Sequence, residues 1–334
     1  MQFRTPVKIN RREFGLSHFT STLMLGSCFT ENIGRKLQYY KFPVMTNPFG
    51  VLYNPHSIKN AAETLTGKQH FSEELIGEHN NKWFSFYHDT SYSAANKKAL
   101  IEKIESAKNE AAEFLKKTSL LIITFGTGWA FRHIDKNIIV ANCHKLPSRD
   151  FHRELLSPEN IIANYKELIN EIYRINPKVQ IIFTVSPIRH WRDGAVKNQL
   201  SKASLIYSIH KIIEQYPKID YFPSYEIVMD ELRDYRFYAK DMIHLNETAI
   251  DYIWERFAET YITENSFRLM SEVEKIQKAK SHRPFNPKST EYQNFLYEQI
   301  KKTKQLADKY PVLDLSEEIE FFNSKIDSAN YQQR

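Results

Sequence analysis

Cysteine is nearly absent from the 334 residues: Cys28 and Cys143 are the only two. That excludes a disulfide-stapled scaffold, and their spacing fits no zinc module. Glycine is scarce as well, at 9 residues, so no flexible low-complexity tract is present. No apolar run reaches the roughly 20 residues needed to span a bilayer. The opening Met1-Gln2-Phe3-Arg4-Thr5-Pro6 lacks an apolar signal core. These gaps predict a soluble, cytoplasmic protein with no membrane partner. Net charge is +6, yet no basic stripe is interleaved with aromatics, so nucleic acid is not an expected partner. No helical His-Glu-x-x-His spacing occurs, and neither a metal nor another cofactor is expected. What the chain does have is apolar bulk, with 42% hydrophobic residues, 22 Phe and 19 Tyr. That is enough for one large core plus an appendage. The aromatics suit core packing and a sugar-binding cleft alike.

Short apolar runs at 22–25, 42–45, 120–125, 179–185 and 219–222 predict strands. Segments with apolar residues at helical spacing, at 31–40, 55–65, 94–117, 158–175, 197–216 and 247–261, alternate with them. Residues 120–125 (Leu-Leu-Ile-Ile-Thr-Phe) are apolar on both faces, as strands of a covered parallel sheet are. The alternation predicts an α/β fold, a three-layer α/β/α arrangement around a mostly parallel central sheet. Residues 83–88 predict an inserted strand, and 129–133 with 138–142 a hairpin hung from the end of strand 120–125. The domain is expected over 1–262. Residues 263–334 predict a helical extension, with helices at 267–280 and 291–310 and a frayed tail over the last ten residues. It can pack on the domain or mediate homo-oligomer formation.

In such sheets ligands bind beyond the carboxyl ends of the strands, and Gly26-Ser27-Cys28-Phe29-Thr30 lies at one such end. A serine at a sharp strand-to-helix turn sits beside free backbone N–H groups and the positive end of the helix dipole, which stabilise a developing oxyanion. The competing reading is that Ser27 merely caps the helix. Far along the chain, Asp241-Met242-Ile243-His244 supplies an acid and an imidazole three residues apart. The histidine can take the serine's proton and the aspartate can hold the ring. Cys28 is the neighbouring rival thiol, expected to point away into helix packing. A hydrolytic zinc held by Asp241, His244, His144 and His190 is the alternative chemistry.

Ser27 followed at a distance by Asp241-x-x-His244 resembles the SGNH or GDSL-type hydrolase superfamily. Gly26-Ser27-Cys28-Phe29 resembles the GSCFA domain family within it. Thr46-Asn47-Pro48-Phe49-Gly50, Thr124-Phe125-Gly126-Thr127-Gly128-Trp129, Ala141-Asn142-Cys143-His144 and Ser186-Pro187-Ile188-Arg189-His190, running on to Ser201-Lys202-Ala203, are similar to further segments of that family. The likeness covers roughly residues 20 to 260. It departs at Thr30, where the family has Ala, a harmless change in a first helical turn. The resemblance implies an SGNH-like fold and an esterase site with Ser27, His244 and Asp241 as its triad. It also implies oxyanion donors from Ser27, from Gly50 or a neighbour, and from an Asn after the third strand. That Asn is missing, since Gly126-Thr127-Gly128 stands in its place, and Asn47 and Asn142 are the substitutes. His144, Arg189 and His190 are candidate substrate-binding residues, Arg189 as a clamp for a carboxylate or phosphate. The structural alternative pairs Arg189 with Asp193 or another acid. Trp129 and Trp191 can wall a sugar cleft. The implied substrate is a small acyl ester on a small molecule or carbohydrate. Acyl transfer to another hydroxyl uses the same residues, and a non-catalytic polysaccharide-binding protein is the other class that retains this fold.

Overall fold

The computed structural model describes residues 5–9, 14–69 and 72–331, with the side chains of 327–331 excepted. Elements run in chain order as β1 (Thr22–Gly26), α1 (Cys28–Tyr39), β2 (Val44–Thr46), α2 (Pro55–Thr66), β3 (Ile76–His79), β4 (Lys82–Ser85), β5 (Ser93–Ala94), α3 (Lys97–Lys117) and β6 (Leu120–Phe125). There follow β7 (Trp129–His133), β8 (Ile138–Val140), β9 (Phe151–Leu155), α4 (Pro158–Ile175), β10 (Gln180–Val185), α5 (Gly194–Ile213), β11 (Ile219–Phe222) and α6 (Glu247–Tyr261). The central sheet is wholly parallel in the order β11-β10-β6-β1-β2.

Every residue of β1 and β6 is buried, as strands covered on both faces must be. Leu23, Leu25, Leu121, Ile123, Phe125, Ile181 and Phe183 face one layer, built from α2, α3, α4 and α5. The opposite face carries α1 and α6, where Phe222 meets Phe29 and Phe257 at ring distances of 5.9 and 5.3 Å. Local chemistry starts these helices where they start. Asn54 accepts the Ser57 N–H ahead of Pro55, and Ser157 accepts the Asn160 N–H ahead of Pro158. Gly67, at φ 77°, ends α2 in the left-handed cap that glycine tolerates.

Two small antiparallel sheets interrupt the alternation. One is β3-β4-β5 and the other β8-β7-β9. The predicted hairpin is therefore three-stranded, with Phe151–Leu155 its third strand. Phe84, Phe86, Val140 and Phe151 form a separate small core there.

The chain divides into two compact units. One holds 5–9, 21–34 and 44–260, and the other draws on 14–20, 35–43 and 261–331. The second unit thus takes in two N-terminal segments besides the expected extension. Its helices are α7 (Glu264–Ser281), α8 (Thr290–Lys309) and α9 (Ser316–Tyr331). Val273, Ile276, Leu296, Leu313, Phe322 and Ile326 form its core. Within it Lys41 pairs at 2.8 Å with the buried Glu318. The frayed tail expected over 325–334 is helical through Tyr331, because Ile319, Phe322 and Ile326 keep helical spacing. Residues 332–334 lie outside the described residues.

Candidate active site

The sheet order places a topological switch point at the carboxyl ends of β1 and β6, where the connections diverge to opposite faces. Ser27 follows β1 at that point. Gly26 makes the turn possible at φ 140°, and a Cβ on it would stand 2.2 Å from the Thr124 carbonyl oxygen. Its N–H donates to Asn47 Oδ1 at 2.8 Å, and its carbonyl accepts the Leu52 N–H at 3.0 Å. The Thr30 hydroxyl donates to Thr124 Oγ1 at 2.8 Å, so the threonine that replaces the family's alanine ties α1 to the end of β6. Ser27 itself is 2% exposed, and its Oγ has no hydrogen-bond partner among the described residues. The hydroxyl therefore does not cap α1. It lies recessed at a cavity floor.

The acid and imidazole come from the loop before α6. Asp241 Oδ1 accepts the backbone N–H groups of Ile243 and His244 at 3.0 and 2.9 Å, a turn that Met242 closes at φ 59°. Asp241 Oδ2 lies 2.6 Å from His244 Nδ1. The His244 bond and the two backbone bonds hold the Asp241 carboxyl down to about 2, so it stays ionised around neutrality. An ionised partner fixes the proton on Nδ1 and leaves the Nε2 lone pair free. The ring is 56% exposed, and its Nε2 takes no partner among the described residues.

One cavity of about 500 Å³ brings Ser27 and His244 together, with Asn142, Arg189 and His190 also on its walls. Trp129, Phe131 and Trp191 supply aromatic wall. The Asp241–His244 bond is made, and none joins Ser27 Oγ to His244. Asn142 accepts the His144 N–H through Oδ1 at 2.8 Å, and its Nδ2 has no partner among the described residues. Burial pulls His190 down to about 4, helped by Lys202, Arg153 and His244, so the ring is neutral near pH 7.

Other expected residues lie elsewhere. Asn47 braces β1, and its buried Nδ2 has no partner among the described residues. The Gly50 N–H donates to the Asn47 carbonyl, and the Gly126 N–H to the Tyr53 carbonyl, both at 2.8 Å. The Ser27 N–H points to the Thr124 carbonyl at 3.3 Å. His144 is buried under Phe84, their rings stacked at 4.1 Å, and its Nε2 donates to the Ser85 carbonyl at 2.9 Å. Asp193 pairs with Arg153 at 2.5 Å, not with Arg189. Cys28 lines the cavity instead of turning into helix packing, because it is the first residue of α1. Burial raises its thiol, with Tyr53 as hydrogen-bond partner acting weakly against that, so thiolate is scarce at neutral pH. Among the described residues no three of His, Cys, Asp and Glu gather as a metal set.

The GSCFA family model matches residues 21–257, and a model of the GSCFA domain protein C-terminal domain matches 273–328. The chain belongs to the GSCFA family. No curated protein matches. Among solved structures this GSCFA chain is similar to a family two carbohydrate esterase from Clostridium thermocellum in complex with cellohexaose. Identity is 16% over 43% of this chain and 36% of that one, with TM-score 0.28. A carbohydrate esterase family 3 from Talaromyces cellulolyticus is 11% identical over 76% and 99% of the two chains, with TM-score 0.31. A mutant acetyl esterase with acetate ion is 12% identical over 76% and 99%, with TM-score 0.30. The chain spans about a third of the length of the first of these.

Four residues of the GSCFA site escaped functional assignment from sequence. Tyr53 contributes its carbonyl to the Gly126 and Thr127 N–H groups and sets its ring edge-on to His190 at 5.8 Å. Arg153 and Arg192 line the cavity from β9 and from the turn before α5. Lys202, fully buried on α5, donates to the Gly126 and Ser186 carbonyls at 2.6 and 2.5 Å and so joins the ends of β6 and β10. A lysine at a helix position facing the sheet was the visible signal for it. Beside it, Ser201 Oγ accepts the Gly128 N–H at 2.7 Å.

Proposed function

We propose that this GSCFA chain is a serine esterase that removes a small acyl group, acetyl in the first instance, from a carbohydrate hydroxyl. Ser27 Oγ attacks the ester carbonyl carbon as its proton passes to His244 Nε2. The Asp241 carboxylate steadies the imidazolium. Collapse of the tetrahedral oxyanion breaks the bond to the alcohol, which leaves with the proton from His244. Water, deprotonated by His244, then cleaves the acyl-enzyme. The Asn142 amide is the side-chain donor to the oxyanion, and the aromatic wall of Trp129, Phe131 and Trp191 supports a sugar as leaving group.

The reading rests on one observation: an unpartnered serine at a strand-to-helix turn shares a cavity with a histidine already bonded to aspartate. A Ser-directed organophosphonate should label Ser27 in the wild type. Ser27→Ala should abolish aryl acetate turnover and stay within about 1 kcal/mol of wild-type stability, since the hydroxyl it removes is unpaired. Labelling at Cys28, or full activity in Ser27→Ala, would overturn the assignment.

A further inference from the structure

Acids are absent from the described residues that line the catalytic cavity, while three arginines line it. Several arginines elsewhere in the molecule pair with carboxylates: Arg132 with Glu154 at 2.8 Å, Arg174 with Glu171 at 3.0 Å, Arg233 with Asp230 at 2.7 Å. In the cavity only Arg153 is matched, by the nearly buried Asp193. Arg189 and Arg192 have no carboxylate partner among the described residues. The Arg189 guanidinium touches Met229 Sδ at 3.5 Å, and that of Arg192 lies over the Phe131 ring at 5.3 Å. Ring and thioether contacts, and for Arg189 the Tyr225 hydroxyl, place the two groups without neutralising them. Two unmatched cations in a concave site focus positive potential on whatever enters it.

We infer that the substrate is an anionic ester, one carrying a carboxylate that Arg189 and Arg192 receive. Either the alcohol carries it, as in a uronate-type sugar, or the acyl group does, as in a dicarboxylic half-ester. The inference rests on the esterase reading of the same site. Guanidinium forks match a planar carboxylate with paired N–H donors, and a neutral substrate would displace their water while leaving both unpaired.

The test uses two pairs of esters that differ in a single carboxylate. 4-Acetoxybenzoate and its methyl ester vary the alcohol side; mono-4-nitrophenyl succinate and 4-nitrophenyl butyrate vary the acyl side. Phenol release is followed for the wild type and for Arg189→Gln/Arg192→Gln. One pair should show a preference for the acid of about ten- to a hundredfold in kcat/KM. High salt or the double substitution should take that ratio to about one, and the pair that responds identifies which side bears the charge. Ratios at or below one for both pairs in a wild type whose turnover depends on Ser27 would overturn the inference and leave the esterase reading standing. Should no ester turn over, the esterase reading falls, and binding of glucuronate against glucose, followed by tryptophan fluorescence, decides the inference. Arginine-dependent binding of glucuronate alone supports it. Equal binding of the two sugars, or none, overturns it.

Discussion

Asn47→Ala and Asn142→Ala should fail in different ways, and the structure sets the size of each failure. Asn47 Oδ1 accepts the N–H of the buried Gly26 at 2.8 Å. Truncation strands that donor, at a cost of about 1 to 3 kcal/mol. Asn47 also sits at φ 46°, where alanine costs about 1 kcal/mol more. Loss of about 2 to 4 kcal/mol of unfolding free energy is therefore expected. Asn142 is half-buried and makes one bond, from the His144 N–H, so its truncation should cost only about 0.5 to 1.5 kcal/mol. If its unpartnered Nδ2 is the oxyanion donor, kcat should fall by about a hundredfold or more while KM barely moves. Urea unfolding gives the first quantity and ester turnover at saturating substrate the second. An Asn47→Ala protein as stable as wild type would refute the bracing role. Wild-type kcat in Asn142→Ala would show that the site uses backbone donors alone.

Gly26→Ala should lose about 3 kcal/mol or more, visible in thermal unfolding, because its Cβ would press on the Thr124 backbone of the neighbouring strand. Asp241→Asn should lower kcat far more than it changes KM, since the ring loses the partner that fixes its tautomer; an unchanged kcat would mean that another group orients His244. Burial draws Lys202 down to about 7 against an ordinary 10.5, with Arg189 adding to it, so between those pH values the unfolded chain binds the extra proton. Wild-type stability should accordingly rise from pH 7 to 10 relative to Lys202→Met, and parallel pH profiles of the two proteins would contradict that account.

Legibility followed how local each signal was. Residues 120–125 and 158–175 matched their elements to the residue, the first as a continuous apolar run, the second through Ser157 and Pro158 at its start. Strand β9 stayed hidden because Phe151-His152-Arg153-Glu154-Leu155 alternates weakly and is a strand only by pairing with β7. Helix α9 carried a readable spacing at Ile319, Phe322 and Ile326 that the charges around it obscured. In the site, Ser27, Asp241 and His244 could be picked out because each stands in a short motif. Which backbone donors stay free at the cavity could not, since that depends on distant acceptors such as the Tyr53 carbonyl. Lys202 was visible as a residue, but its partners on two strand ends were not.

The antiparallel insertions on β3–β5 and β7–β9 hold a small core of their own, and β7 and β9 carry Trp129, Phe131 and Arg153 to the cavity. Ser27 and His244 lie outside them, one just after β1 and the other before α6. Part of the cavity wall thus comes from stretches of chain other than those that carry Ser27 and His244. Drift in the insertions can reshape that wall while Ser27 and His244 keep their places, so kindred proteins with the same serine and histidine need not accept the same molecule.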